Sequence, residues 1–173
     1  PHTAYCAAKF AVKGFSESLI TDLRLNAPHV NVSVVMPGHI GTQIIKNSMS
    51  FLGSDPDSMT AQEIDEIRKQ LADSGLPVGN LPDDDIRGLI AQQAQAFEAD
   101  APTTAATAAE IILDGVKNNR WRILVGEDAQ VLDAEVRANP EEAYERSFTE
   151  KVLARGHLAA LLQTGSAAVS SGQ

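Results

Sequence analysis

Val30 to Met36, reading VNVSVVM, is a run rich in β-branched residues that is stopped at once by Pro37-Gly38. Its length and branching favour a buried strand over a helix, because such side chains pack well on a pleated surface and lose χ1 freedom in a helix. The segment before it carries the opposite signal. From Thr3 to Asn26, the residues Tyr5, Ala8, Phe10, Ala11, Phe15, Leu19, Ile20 and Leu23 recur at helical spacing. Thr3 is suited to cap this helix and Asn26-Ala27-Pro28 to close it. A long helix feeding a buried apolar strand is half of a parallel α/β unit, since parallel neighbours need a crossover between them.

Residues 42 to 103 are more polar and punctuated. Thr60-Ala61-Gln62-Glu63 has the capping-box pattern, ahead of Ile64, Ile67 and Leu71 on one face and a stop at Gly75 and Pro77. A further helix is predicted after Pro82, where Asp83, Asp84 and Asp85 suit the positive end of the helix dipole. Ile86, Leu89, Ile90 and Phe97 give it an apolar face. Amphipathic helices inserted past the carboxyl end of a strand are where α/β enzymes place a substrate lid. The alternating pattern then returns. Thr104 to Asn119 reads as a helix with Ala108, Ile111, Ile112 and Val116 inward, and Trp121 to Val125 as a strand ended by Gly126. Asp128 to Arg137 and Pro140 to Gln163 read as helical, and the final GSAAVSSGQ as a small, polar, mobile tail.

Bulk properties narrow the functions open to such a chain. With 173 residues, 43% of them hydrophobic, it fits one domain or a piece of one. A net charge of -9 argues against nucleic-acid and anionic-membrane partners, which select for clustered Lys and Arg. Arg120, Trp121 and Arg122 read as a rim aromatic between two solvated arginines. A single cysteine, Cys6, read as a small packing residue, can form no internal disulfide, and a reducing, cytoplasmic setting is expected. No apolar run reaches membrane-spanning length, and no basic leader precedes one. His2, His29, His39 and His157 lack metal-binding spacing, so no metal site is expected; His39 is assigned to solvent ahead of substrate. There is no G-x-S-x-G elbow, which leaves Ser16 and Ser18 as helix-surface residues. The chain opens at Pro1 directly on a helix, so it is expected to be the tail half of something longer.

Tyr5 and Lys9 stand at i and i+4, which puts them on one helix face. A free phenol, with a pKa near 10, releases its proton poorly at neutral pH, and a nearby cation favours the phenolate. Taken alone the pair is a weak signal, because Tyr5 reads equally as a core aromatic and Lys9 as a solvated stem. The context is more specific. YCAAKFAVKGFSESLITDLR, followed by VNVSVVMPGHIGT, resembles the short-chain dehydrogenase/reductase superfamily in its catalytic helix, following strand and nicotinamide loop. The family pattern Y-x-x-[SA]-K-[FAG]-[AG]-[VL]-x-[GS]-[FL]-[ST]-[ED]-[STA]-L is met from Tyr5 to Leu19, and P-G-x-[IV]-x-T by Pro37, Gly38, Ile40 and Thr42.

The resemblance implies the carboxyl-terminal part of a Rossmann-like doubly wound parallel sheet with an inserted helical lid and a helical tail. Residues 1–138 would be the reductase half-domain with its lid at 43–103, residues 139–164 a helical extension and 165–173 a disordered tail. By the same resemblance Tyr5 is the general acid/base, and Lys9 lowers its pKa and holds the nicotinamide ribose. Pro37 and Gly38 turn the chain past the nicotinamide ring, Ile40 adds backbone contacts, and Thr42 hydrogen-bonds the carboxamide or phosphate. The activity implied is NAD- or NADP-dependent interconversion of a ketone and a secondary alcohol. Ile44, Ile45, Met49, Phe51, Leu52 and Phe97 in the lid suggest a partly apolar substrate. The glycine-rich phosphate loop, the N-A-G segment and the catalytic serine of the family are absent from the chain. The isolated fragment is therefore expected to be inactive, with its cofactor preference unreadable. A homo-oligomer of the full-length parent is expected through Phe10, Phe15 and Leu19, which could equally be core. The alternative is a non-catalytic α/β interaction module, or a degenerate reductase relative, that binds a protein partner.

Overall fold

The helix expected from Thr3 to Asn26 forms over those residues as α1, and the strand after it as β1, Val34–Pro37, in a computed structural model that describes residues 3–51, 53, 55–73 and 76–154. Next come β2 (Ile40–Gly41), α2 (Ile44–Phe51), α3 (Ala61–Asp73) and α4 (Asp83–Ala99). The chain continues through β3 (Thr103–Thr104), α5 (Ala105–Lys117), β4 (Arg122–Val125) and α6 (Glu127–Ala138). A single 3-10 turn at Pro140–Glu142 precedes α7 (Arg146–Ala154). The expected tail lies outside the described residues.

The architecture is α/β with parallel strands. β1 pairs with β4 in parallel, Val34 opposite Arg122 through Pro37 opposite Val125. A second parallel pair sets Ile40 opposite Thr103 and Gly41 opposite Thr104. β1 is shorter than the valine run because its partner is short. Before the ladder starts, the Val30 amide donates to the carbonyl of Ala27 in a turn, and the Ser33 hydroxyl donates to the carbonyl of Arg120. β2 and β3 are two-residue pairings and carry no periodicity to read. Gly41 meets a local demand here, since a Cβ on it would stand 2.7 Å from the carbonyl oxygen of Glu98 at the end of α4.

Among the described residues, two separate cores form. Beneath the strands, Ala108, Ile123 and Val125 are buried, with Ile40, Ile111 and Ile112 packed against them. The helical insertion has a core of its own, in which Met59, Ile64, Val78, Ile86 and Ile90 are buried and Met49, Ile67, Leu71 and Leu81 pack around them. Arg68 ties this unit together by donating to the carbonyl of Leu81 at 3.2 Å and pairing with Asp65 and Asp83. The Arg87 guanidinium donates to the carbonyl of Met59 at 2.7 Å.

Several expectations need correction. α1 buries none of its residues, so its apolar stripe is not core: Phe10 and Phe15 are each 69% exposed. Val116 and Leu89 also face outward, because one side of each helix suffices for the small cores they contact. Cys6 is exposed rather than packed. The helix expected from Pro140 is broken, with a turn over residues 143–145 before α7 buries Phe148 and Val152. The part of that segment from residue 155 onward lies outside the described residues.

The capping box is realised: the Thr60 amide donates to Glu63 Oε2 at 2.8 Å, and the Glu63 amide donates to Thr60 Oγ1 at 3.3 Å. The bond from the Thr60 backbone, then that from its side chain, holds the Glu63 carboxyl below its ordinary value. A carboxyl depressed in the folded state stabilises it fully above the unfolded-state pKa, and that contribution is lost as pH falls through the folded-state value. The thermal-melt advantage of the wild type over Glu63→Ala is therefore expected to be largest near neutral pH and to shrink on acidification. An advantage that grows with acid would contradict it.

Candidate functional site

α1 presents Tyr5 and Lys9 together. Lys9 Nζ lies 5.3 Å from the centroid of the Tyr5 ring, within cation–π range and over the aromatic face. Tyr5 is 63% exposed, and among the described residues Lys9 has no carboxylate partner. By contrast Lys13, one turn further on, pairs with Glu17 at 2.8 Å. Tyr5 thus offers its hydroxyl to solvent, and Lys9 is free to meet a polar ligand on the same face.

The second group of candidates follows β1. Pro37 ends the strand, and the Gly38 amide donates to the carbonyl of Val125 at 2.9 Å, carrying the ladder one step beyond the strand. Ile40 enters β2 and packs on the sheet core. Thr42 then lines an open groove of about 580 Å³ with Gln43, Ile44, Asn47, Ser48 and Phe51. Of the apolar residues expected to face a substrate, Ile44 and Phe51 line this groove. Met49 instead contributes to a second cavity of about 450 Å³ between α2 and α4, shared with Lys46, Asp55 and Glu98. Leu52 lies outside the described residues.

His39, expected to face solvent, is instead buried. It is 6% exposed, its Nε2 lies 2.7 Å from the carbonyl oxygen of Phe97, and its ring sits 4.2 Å from that of Phe97. As a carbonyl only accepts, Nε2 carries the proton. The His39 amide donates to Asp128 Oδ2 at 2.6 Å. Asp128, read from sequence only as the start of a helix, is thus a buried member of the loop structure. The available signal was Gly126-Glu127-Asp128 directly after a strand, a glycine followed by carboxylates in a first helical turn.

Residues 2–52 match the family model of short chain dehydrogenases. The match spans less than half of the chain. The matched segment contains Tyr5, Lys9, Pro37, Gly38, Ile40 and Thr42, and it comprises α1, β1, β2 and α2. The family that this segment is similar to is one of oxidoreductases. No curated protein and no solved structure matches the chain.

Beyond the matched segment, Arg120 is exposed as expected, whereas the Arg122 side chain is part-buried rather than solvated. Arg122 is ion-paired with Asp133 and Arg120 with Asp114. Burial, then the neighbouring Arg137 charge, lowers the Arg122 pKa. Among the described residues, no helix is long and apolar enough to cross a membrane, and no His, Cys, Asp and Glu group could hold a metal ion.

The geometry separates the buried His39 from the exposed Tyr5. His39→Ala removes a buried ring and its hydrogen bond and is expected to cost about 1–3 kcal/mol. Tyr5→Phe, at an exposed hydroxyl, is expected to change stability by less than about 0.5 kcal/mol. Urea denaturation of both variants checks the contrast; equal losses would refute it.

Proposed function

We propose that the chain is the carboxyl-terminal part of an NAD- or NADP-dependent oxidoreductase that interconverts a ketone and a secondary alcohol. It would form the second half of a Rossmann-like doubly wound sheet, with α2 to α4 as the substrate lid, in a cytoplasmic enzyme. One observation carries the reading: within the matched segment, Tyr5 and Lys9 share an exposed helix face while Thr42 opens onto a groove beyond a parallel strand. Ligands of parallel α/β sheets bind outside the carboxyl ends of the strands.

The residues present fit the nicotinamide end of such a cofactor. Lys9, unpaired with any carboxylate among the described residues, would hold the ribose hydroxyls. Pro37 and Gly38 would turn the backbone past the ring, Ile40 would add main-chain contacts, and Thr42 would hydrogen-bond the carboxamide or phosphate. The pyrophosphate would be held by the upstream half. When bound, the cofactor supplies or accepts the hydride. In the reductive direction Tyr5 gives its phenolic proton to the carbonyl oxygen, and in the oxidative direction it takes the hydroxyl proton back. The Lys9 ammonium, beside the ring, stabilises the phenolate left after donation. Exposed Ile44 and Phe51 beside Thr42 support a partly apolar substrate.

In the full-length parent, Tyr5→Phe is expected to lower turnover by at least about 10²-fold, the scale of a general acid, with cofactor affinity nearly unchanged. Retained turnover would sink the reading. The isolated chain is expected to bind NADH or NADPH weakly in a fluorescence titration, and tight binding would count against the missing upstream half.

The exposed aromatic stripe on α1 supports assembly of the parent into a homo-oligomer. Burying Phe10 and Phe15 would each contribute about 1.5–3 kcal/mol relative to leaving them in water. Light scattering should find the parent oligomeric and a Phe10→Ser, Phe15→Ser double variant shifted toward monomer; a monomeric parent would contradict the assignment.

A further inference from the structure

Asp128 is only 3% exposed, an unusual place for a carboxylate, and the chain is shaped to admit it. A Cβ on Gly38 would stand 2.1 Å from Asp128 Oδ1, and one on Gly126 would stand 2.5 Å from the same atom. Neither glycine could carry a side chain without displacing the carboxylate. Gly126 also has φ 100°, a conformation that disfavours residues with a Cβ. Burying a charge costs free energy unless hydrogen bonds compensate for the lost water. Here Oδ2 accepts the His39 amide at 2.6 Å, while Oδ1 has no partner among the described residues. Asp128 also stands in the first turn of α6, where the helix dipole favours a negative charge.

The consequence falls on the loop after β1. Two successive amides are fastened across the gap between the strand ends: Gly38 to the carbonyl of Val125, and His39 to Asp128. The His39 ring then reaches the carbonyl of Phe97 on α4. Three residues past His39 comes Thr42, at the groove. We infer that Asp128 is a positioning residue that fixes the 37–42 loop through the His39 amide. Gly38 and Gly126 are present because the carboxylate needs the space where their side chains would be. Asp128 touches no ligand in this scheme; it acts by setting where the loop and Thr42 stand. The effect on a cofactor rests on the oxidoreductase reading above, whereas the clamp itself does not.

The test uses the full chain and nuclear magnetic resonance. In the wild type, a scalar coupling through the hydrogen bond between the His39 amide nitrogen and the Asp128 side-chain carboxyl carbon is expected, and its absence would overturn the assignment without any variant. In Asp128→Ala, His39 amide exchange should accelerate about tenfold or more, the scale for losing a hydrogen bond to a charged group, while Ile64 and Ile90 keep their protection. Gly38→Ala, which pushes the carboxylate aside, should reproduce that loss. Asp128→Asn keeps an acceptor oxygen and should restore most of the protection. Unchanged His39 exchange in Asp128→Ala, or an equal loss at Ile64 and Ile90, would overturn the clamp in favour of no role or a merely structural one. In the full-length parent, Asp128→Ala should raise the KM for the nicotinamide cofactor more than it lowers kcat. A wild-type parent without cofactor-dependent turnover would refute the oxidoreductase reading and leave the exchange result to decide the clamp.

Discussion

The parallel pairing of β1 with β4 sets the level at which both strands end, Pro37 opposite Val125. That register puts Gly38 beside Gly126, and so brings the turn after one strand against the first turn of the helix after the other. Had the pairing slipped by one residue, the inward side chains of β4, Ile123 and Val125, would have turned outward. The same slip would have carried the start of α6 away from the His39 amide. The burial of two apolar side chains on β4 thus helps to fix the backbone of the loop after β1, whose Ile40 packs against the same core.

The helical insertion is joined to this frame at a few points. β2 and β3 bracket it, Glu98 approaches Gly41, and His39 reaches Phe97. With Ile64 and Ile86 completely buried in a core of its own, the insertion packs mainly on itself. Such an arrangement lets the shape of the insertion be set independently of the sheet. The loop that carries Thr42 belongs to both parts, because it leaves the sheet and begins α2.

α1 poses the opposite case. Its apolar residues follow a regular helical pattern, yet none of them is buried. Amphipathicity is a property of the sequence, while burial needs a partner, and β1 covers little of the helix surface. Tyr5, Phe10 and Phe15 are left in solvent, a costly arrangement for so much aromatic surface. An upstream half-domain or a second copy of the protein, as proposed above, is the kind of surface that would cover them.

The sequence by itself determined most of the local elements. α1 was legible over its full length, the capping box at Thr60 and Glu63 formed as written, and the motif residues Tyr5 and Lys9 lie on α1, with Thr42 in the bend between β2 and α2. These features depend on neighbours within a few residues, so periodicity and capping suffice to show them. Tertiary structure alone decided the rest: the truncation of the valine run to four strand residues, the pairing of β2 with β3, and the exposure of α1. It also decided the burial of His39 between Phe97 and Asp128, residues 58 and 89 positions away. No local pattern encodes a hydrogen bond of that span, because the two strands that create it must first find their register.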